Sequence, residues 1–544
     1  MITADRTDQG TTTRLMTWAR PRTRPLALRV DRPRDGEASG ALVVVPPPGR
    51  ERVVTFRALR ALAVVAARAG FVVLSPDLTG QGDSAPARGV DLIEAWTADV
   101  EHVVALAQQL VPGRPVHTVG LRLGACLADA VPTSGVRVLW EPIDGRIWLR
   151  RQRRLRTVAL ATPVVPDGTE LPGLHLSDED AASIATLTAS DDADPSRLVR
   201  RETDRLVADQ LFNTSPHGAR IPAGSIAEIV DALPHGDRGP MAAHAWPEEV
   251  LMPTEGGVVV ERWTELGPAR LPAVFTRSAS GTTGPALVFT PMGAELRSGP
   301  GDLWTDLARA VAADGGVAIR SDRRGLGDAL DVTELGEPRP YVETAPGDVA
   351  EAARLVRTLG ARTVVGVGLC AGAWSMLRAG DDGGTVPFDR VVALNSVHWD
   401  DDVARYDEDF YEQAFRYEIT PPSVEDDVVP RLHDVRRRVL CALAHRFPRL
   451  RAWYRGEDGS DHVGLLLGRT PAPTDVHLVL GTWEHSVFRA KDGQRAVRHR
   501  RGTQVSVVPS LDHSLLATES RRTAHALVQA ELAAAQRSVI APSV

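Results

Sequence analysis

One short segment of the chain carries the residue types of a covalent catalyst. Cys370 lies in Gly368-Leu369-Cys370-Ala371-Gly372, between an apolar run and a helix-forming stretch. A side chain held on a sharp strand-to-helix turn needs small neighbours, and Gly368 and Gly372 meet that need. The positive end of the helix dipole favours the thiolate form of a cysteine placed there. The pattern therefore predicts that Cys370 is a nucleophile.

The alternative for any free cysteine is burial as a small apolar side chain, and this is our interpretation of Cys126 and Cys441. The chain has 3 cysteines in 544 residues, which form neither a disulfide framework nor a CxxC metal pattern. At Cys370 the flanking glycines and the strand and helix context favour catalysis over burial.

A thiol nucleophile needs a base and an acid that orients the base. Where the nucleophile occupies such a turn, the acid and then the histidine follow it along the chain. Glu484 comes after the apolar run VHLVLG, and His513 comes after QVSVVPSLD. Chain order favours Glu484 as the acid and His513 as the base, each on a loop after a strand. His485, next to Glu484, remains an alternative base, and Asp512, next to His513, an alternative acid.

The attacked carbonyl oxygen also needs hydrogen-bond donors as its negative charge develops. The backbone N–H of Ala371, which follows the nucleophile at the start of a helix, is one expected donor. The second is expected from the loop after the first central strand, where Gly293 has no side chain to block the backbone. Met292 or Gly293 is the candidate.

The elements that must position these residues occur twice. In the first half an apolar run (41–49) leads into the helical stretch FRALRALAVVAARAG, the strand FVVLSPD and the turn TGQGDS. In the second half another apolar run (286–293) leads into LWTDLARAVAADGG, VAIRSD and RRGLGD. Asp83 and Asp328, which close the two glycine turns, are predicted to bond nearby backbone N–H groups. The repeat predicts two α/β units in tandem, each a mostly parallel sheet covered by helices.

The predicted domains are residues 1–245 and 246–544, because 544 residues exceed what one core usually organises. Residues 215–255 are rich in Pro, Gly and His without clear periodicity, which predicts a linker or an irregular exit from the first domain. The strands VVVERW and AVFTR are expected to open the second domain as a hairpin. The aromatic and charged stretch 399–472 predicts a helical lid over the second unit.

The first unit keeps the glycines of the turn and loses the nucleophile. Arg122 occupies the central position of Gly120-Leu121-Arg122-Leu123-Gly124. A guanidinium cannot act as a nucleophile at neutral pH, and no well-placed acid and histidine pair follows. The first unit is therefore predicted to be a pseudo-enzyme. Its arginine could bind an anion at a helix N-terminus or form a buried ion pair, and the sequence leaves both open.

Composition and motifs exclude several classes of function. The net charge is −7 and the arginines are spread along the chain, so no nucleic acid partner is expected. The first twenty residues contain no apolar targeting core and no stretch approaches 18 apolar residues, so no membrane span is expected and a cytoplasmic location is predicted. Without an HExxH, P-loop or convincing dinucleotide motif, neither a metal nor an organic cofactor is expected. The oligomeric state is left open.

These motifs resemble known families over most of the chain. Through PPPGRER, DLTGQGDS, GLRLGA, LWEPIDG and LPGLHLSDE, the first half resembles hydrolase-like proteins of exosortase and exopolysaccharide gene clusters. An arginine also occupies the nucleophile position in that family. Through RSGPGDLW, SDRRGLGD and GLCAGAW, the second half is similar to the companion family with a GLCSGA turn and to dienelactone-hydrolase-like enzymes. It departs from the companion family at Ala329 and Ala371. The resemblance implies two tandem α/β-hydrolase-type domains, of which the second is active.

The predicted activity is that of an acyl hydrolase or acyltransferase in a biosynthetic pathway, acting on an ester or thioester through an acyl-thioenzyme. A carrier-protein-bound substrate, docked by the first unit, is one option. The alternative is a non-catalytic scaffold built from two pseudo-hydrolase domains.

Overall fold

The chain forms two large mixed sheets, one in each half. The computed structural model describes residues 6–8, 11–20, 22–160, 162–189, 194–281, 284–330, 338–380, 386–400 and 463–540. Most of the predicted lid, 401–462, and Cys441 lie outside this part of the chain.

The strands of the first half, of which eight form its main sheet, are β1 (Arg6–Asp8), β2 (Thr12–Ala19), β3 (Leu26–Pro33), β4 (Glu37–Ala38), β5 (Gly40–Val45), β6 (Phe71–Pro76), β7 (Val116–Leu121), β8 (Arg137–Trp140), β9 (Thr169–Leu171), β10 (Leu174–Leu176), β11 (Arg197–Arg200) and β12 (Gly239–Pro240). Those of the second half form one sheet and are β13 (Glu249–Thr254), β14 (Gly257–Leu266), β15 (Leu271–Ser278), β16 (Ala286–Phe289), β17 (Val317–Ser321), β18 (Val364–Leu369), β19 (Arg390–Leu394), β20 (Asp475–Leu480) and β21 (Thr503–Val507).

The helices of the first half are α1 (Arg50–Arg68), α2 (Leu92–Leu110), α3 (Leu123–Ala130), α4 (Gly145–Ala159), α5 (Asp178–Thr186), α6 (Arg205–Phe212) and α7 (Ala223–Asp231). Those of the second half are α8 (Leu303–Ala313), α9 (Ala345–Thr358), α10 (Ala371–Arg378), α11 (Val463–Arg469), α12 (Thr482–Ala490), α13 (Gly493–His499) and α14 (Thr518–Ile540).

The two sheets repeat one strand order. The first runs β1-β2-β3-β6-β5-β7-β8-β11 and the second β13-β14-β15-β17-β16-β18-β19-β20-β21. In each, an antiparallel hairpin leads into parallel strands. The fold class predicted from the repeated pattern, two α/β units with mostly parallel sheets, is confirmed, as is the hairpin, which is formed by β14 and β15. Beyond β20, the counterpart of β11, the second sheet gains β21, and the segment after β21 carries His513.

Both faces of each sheet are covered, because alternate residues of a strand point to opposite faces. In β5, Ala41 and Val43 pack in the cluster that contains α2 and α3, whereas Leu42 and Val44 pack in the cluster that contains α1. This two-sided burial explains the continuous apolar runs of the central strands.

The prediction that residues 215–255 are irregular is wrong for α7 and for β13. Ile226, Ile229 and Val230 in α7 are buried in the same cluster as α1. Their spacing is helical, but the helix has only nine residues and follows a Pro-rich segment, so its periodicity is short and easily missed. The predicted boundary at 245/246 falls between β12, which pairs with β4, and β13.

The two halves meet through buried ion pairs. Each carboxylate that closes a glycine turn is held by two guanidinium groups of the other half: Arg297 (2.9 Å) and Arg320 at Asp83, and Arg14 (2.7 Å) and Arg29 (2.9 Å) at Asp328. The sequence did not predict these ion pairs. The backbone N–H groups of Asp83 and Asp328 donate to the carboxylates of Asp77 (3.2 Å) and Asp322 (3.0 Å), respectively. The two turns thus join the halves.

An apolar cluster also crosses the interface between the halves. Met16 and Trp18 of the first half pack with Met252 and Trp263 of the second. The two tryptophan rings lie 5.6 Å apart, and the indole N–H of Trp263 donates to the carbonyl of Thr17 at 3.1 Å. The antiparallel strands at one side of each sheet therefore pack against those of the other sheet.

Candidate active site

Cys370 lies on a strained turn between β18 and α10, with φ 52° and ψ −112°. A Cβ added to Gly368 would lie 2.6 Å from the backbone nitrogen of Ala373, and one added to Gly372 would lie 3.0 Å from Thr290 Cγ2. Gly368 leaves no room for a side chain, and Gly372 leaves very little. The turn therefore has the geometry of a nucleophile elbow, and its side chain is buried in the second unit.

The first unit builds the same turn around Arg122, whose φ is 58° and ψ −122°. The guanidinium lies 3.4 Å from the carboxylate of Glu51 and 4.1 Å from the centre of the Phe212 ring. Gln152 also donates to Glu51, at 3.0 Å. The structure thus gives Arg122 an ion pair within its own half.

Glu484 and His513 form a hydrogen bond of 2.8 Å between Oε1 and Nδ1. Their side chains are 3% and 8% exposed, respectively. Glu484 is the third residue of α12, so the prediction that it lies on a loop is wrong: the helix begins at Thr482, directly after Gly481. A carboxylate on Nδ1 leaves the other ring nitrogen to exchange protons with a nucleophile.

The two alternative residues have other surroundings. The carboxylate of Asp512 accepts the backbone N–H groups of Leu516 (2.9 Å) and Ala517 (3.0 Å), in the turn before α14. His485 stacks beside Phe488, and burial, with a smaller effect of Arg489, lowers its pKa. These contacts favour Glu484 and His513 as the pair.

Asn395 connects the two segments that carry this pair, and sequence reasoning missed it. Its side-chain amide donates to the carbonyls of Asp512 (2.9 Å) and His513 (3.1 Å), and its oxygen accepts from the backbone N–H of Gly481 (2.9 Å). The residue is fully buried and has a φ of 46°. The available signal was a polar residue directly after the apolar strand VVAL.

Tyr341 was also missed. Its hydroxyl lies 3.6 Å from the sulfur of Cys370, within hydrogen-bond range for sulfur, and the side chain is buried. The ring packs against Trp374 and His398. Because the tyrosine lies in the aperiodic segment PRPYVETAP, only the tertiary structure reveals that it contacts the candidate nucleophile.

The structure brings the predicted oxyanion loop against the elbow. A Cβ on Gly372 would lie 3.1 Å from the carbonyl oxygens of Thr290 and Pro291, so this loop packs on the first turn of α10, which starts at Ala371. Met292 is buried, and Gly293 has a φ of 45°. The loop that carries Met292 and Gly293 therefore starts beside the turn that carries the cysteine.

Cys126 differs from Cys370. Its thiol donates to the carbonyl of Ile143 at 3.3 Å, and burial raises its pKa to about 12. A thiol of this kind stays protonated and unreactive at neutral pH. Its environment is that of a structural cysteine.

Within the described ranges, no group of three or more His, Cys, Asp or Glu side chains could hold a metal ion. None of the helices in these ranges is long and apolar enough to cross a membrane.

No model of a known protein family matches the sequence, and no curated protein matches it. Among solved structures, the chain is similar to a dienelactone hydrolase from Anabaena variabilis, with 11% identity and a TM-score of 0.31 over 52% of this chain and 97% of that one. It is also similar to the α/β hydrolase GrgF from a Penicillium species, with 16% identity and a TM-score of 0.30 over 53% and 98%. It is also similar to the esterase Est22, with 11% identity and a TM-score of 0.34 over 51% of this chain and 79% of that one. At these identities and TM-scores the similarities do not decide the activity.

Proposed function

We propose that the second half is an acyl hydrolase or acyltransferase of the esterase or thioesterase type, with Cys370, His513 and Glu484 as its catalytic triad. The hydrogen bond of 2.8 Å between His513 and Glu484 carries this proposal. The elbow conformation alone does not, because Arg122 adopts it in the first half without a nucleophile. The proposed activity belongs to the half in which an elbow cysteine coexists with a buried His–Glu pair.

In the proposed mechanism, His513 takes the thiol proton as the sulfur of Cys370 attacks the carbonyl carbon of an ester or thioester. The oxyanion accepts hydrogen bonds from the backbone N–H of Ala371 and from that of Met292 or Gly293. Collapse breaks the bond to the leaving alcohol or thiol, which takes the proton from the imidazole. Water, or an acceptor alcohol or amine, then attacks the acyl-thioenzyme and regenerates the thiol.

The chemistry of the acyl-thioenzyme refines the substrate class, and one contact bears on the nucleophile. An acyl-thioenzyme is a better acyl donor than an acyl ester, which favours thioester substrates and acyl transfer over simple ester hydrolysis. The hydroxyl of Tyr341, 3.6 Å from the sulfur, can donate to the thiolate before it attacks the substrate and again when the acyl-thioenzyme is cleaved. We place this reaction in a biosynthetic pathway in which the acyl group is presented on a carrier protein, with the first half as a non-catalytic pseudo-enzyme.

The test is alkylation of the native protein with iodoacetamide, mapped by mass spectrometry, together with hydrolysis of p-nitrophenyl butyrate and of S-phenyl thioacetate. We expect Cys370 to be labelled much faster than Cys126 and the Cys370→Ala variant to be inactive. We expect His513→Ala to lower turnover by about 10²- to 10⁴-fold, the usual contribution of a general base.

His485→Ala is the matched control, because it removes a histidine on α12 next to Glu484 and should leave turnover near the wild-type value. Turnover that survives in Cys370→Ala, or a Cys370 that is no more reactive than Cys126, would favour the non-catalytic scaffold instead.

A further inference from the structure

One histidine of the first half reaches the candidate active site of the second. His217 lies in the loop between α6 and α7, and its imidazole packs directly on Gly293 of the oxyanion loop. A Cβ added to Gly293 would overlap Nε2 and Cε1 of this ring. The first half therefore occupies the space beside a residue that we propose as an oxyanion donor.

The imidazole is held in this position by the second half. It hydrogen-bonds the carbonyl of Pro338. The next residue, Arg339, accepts a hydrogen bond through its carbonyl from Arg323, and Arg323 also donates to the carbonyl of Gly293 at 2.9 Å. His217 and Arg323 thus contact the same glycine and the same neighbouring segment.

The loop that carries His217 is fixed to the first half. Arg57 of α1 donates to the carbonyl of Ala219 at 3.1 Å, and the backbone N–H of Arg220 donates to the carbonyl of Gln210 at 3.0 Å. The loop that carries the imidazole is therefore anchored in the first half, while the ring itself contacts the second half.

A further ion pair crosses the interface beside the glycine. Arg50, at the start of α1, binds the carboxylate of Glu295, two residues after Gly293. Burial, followed by the charges of Arg323 and Arg50, lowers the pKa of His217. The ring is therefore neutral at physiological pH and adds no positive charge beside the catalytic His513.

We propose that His217 is a positioning residue of the second half's active site, which holds the oxyanion loop in its productive conformation from the other half of the chain. This inference rests on the proposed function. It assigns the pseudo-enzyme half a direct part in the reaction, because the loop conformation at Gly293 depends on a side chain that the first half supplies.

The first test compares His217→Ala with the wild type in the full chain. We expect kcat for p-nitrophenyl butyrate to fall by about 10- to 100-fold, somewhat less than the loss of one oxyanion donor, with KM little changed. Alkylation of Cys370 by iodoacetamide forms no oxyanion, so its rate should stay at the wild-type value. His235→Ala is the control, since it removes a first-half histidine that contacts Ser39 and Phe71 instead.

A double-mutant cycle with Gly293→Ala guards against a merely structural effect. Alanine at position 293, where φ is 45°, strains the backbone equally whether residue 217 is histidine or alanine. Its Cβ overlaps the imidazole only when His217 is present. We expect Gly293→Ala to cost less turnover in the His217→Ala background than in the wild type.

The outcomes separate the two proposals. If Cys370→Ala is inactive while His217→Ala matches the wild type, the role of His217 is overturned and the proposed function stands. Additive losses in the cycle, or a parallel loss of alkylation and turnover, also overturn the role of His217. If Cys370→Ala turns over both substrates normally, the proposed function and this inference fail together.

Discussion

Asn395 determines how the segments of the acid and the base meet. Its three hydrogen bonds tie Gly481, just before α12, to the carbonyls of residues 512 and 513. A buried amide that hydrogen-bonds two segments fixes the distance between them, because breaking either bond would leave an unpaired polar group in the interior. The geometry of the His513–Glu484 pair therefore depends on a residue that takes no direct part in the proposed chemistry.

We expect Asn395→Asp to lower turnover more than tenfold, since a displacement of about 1 Å at a catalytic group can cost about 10²-fold. The carboxylate keeps the shape of the amide but places an acceptor against two carbonyl oxygens. Ester turnover measures the effect, and the exposed Asn213→Ala, which loses only a bond to Asp209, is the control. Wild-type turnover in Asn395→Asp would show that the two segments hold their positions without this bridge.

At the level of elements, the junction of β18 with α10 decides where the nucleophile sits. The strand enters a turn with almost no space beside it, and the helix begins one residue after the cysteine. The same junction in the first half, from β7 to α3, keeps its glycines although Arg122 has replaced any nucleophile. The glycines are thus required by the packing of strand on helix, whatever side chain the turn carries.

This packing predicts a sharp difference between two glycines of one strand. At Gly368 an added Cβ meets backbone 2.6 Å away, whereas at Gly366 it meets the flexible end of Met376 at 2.8 Å. We expect Gly366→Ala to cost about 1–3 kcal/mol, as overpacking usually does, and Gly368→Ala to cost more. Thermal unfolding and the alkylation rate of Cys370 measure the two effects, and equal losses in the two variants would contradict this account of the junction.

At the level of the whole molecule, the two halves are joined by buried ion pairs between carboxylates of one half and guanidinium groups of the other. Burial alone would raise the pKa of Asp328, but Arg29, Arg297 and Arg14 outweigh it and hold that pKa below its ordinary value. Asp83 has the same balance with arginines of the second half. Separating the halves would remove the charged partners that each half supplies to the other, which is unfavourable for buried ions.

The lowered pKa gives the pH dependence of stability a definite sign. A carboxylate with a lower pKa in the folded chain than in the unfolded chain stabilises the fold at neutral pH, and this stability is lost as the pH falls below about 4. We expect Asp328→Asn to destabilise the protein by about 3–5 kcal/mol at pH 7, because it removes one negative charge from a buried cluster that holds three guanidinium groups. The difference from the wild type should shrink as the pH approaches 3.

Denaturant unfolding between pH 7 and pH 3 measures this difference. Asp35→Asn is the control, because its exposed pair with Arg238 should contribute little at any pH. A gap between Asp328→Asn and the wild type that stays constant with pH would show that the charge of this carboxylate does not stabilise the folded chain.

The sequence by itself determined the repeated strand and helix pattern, the elbow around Cys370, and Glu484 and His513 as partners in the right chain order. These signals are local: apolar runs and amphipathic periods mark the elements, and the glycines mark the turn. In α7 the helix has only nine residues, so its apolar periodicity was too short to predict a helix. The structure brings Glu484 and His513 together because α12 and the segment after β21 follow neighbouring parallel strands.

Only the tertiary structure decided which side chains surround the candidate nucleophile and how the halves join. Arg14 and Asp328 pair across 314 residues, and His217 and Gly293 meet from different halves. No period or motif encodes such contacts, because they depend on how two finished sheets pack together. The segments that contain Tyr341 and Asn395 have no sequence pattern that indicates a role at the active site. These residues reach it only because the strand order brings distant loops to one edge of the sheet.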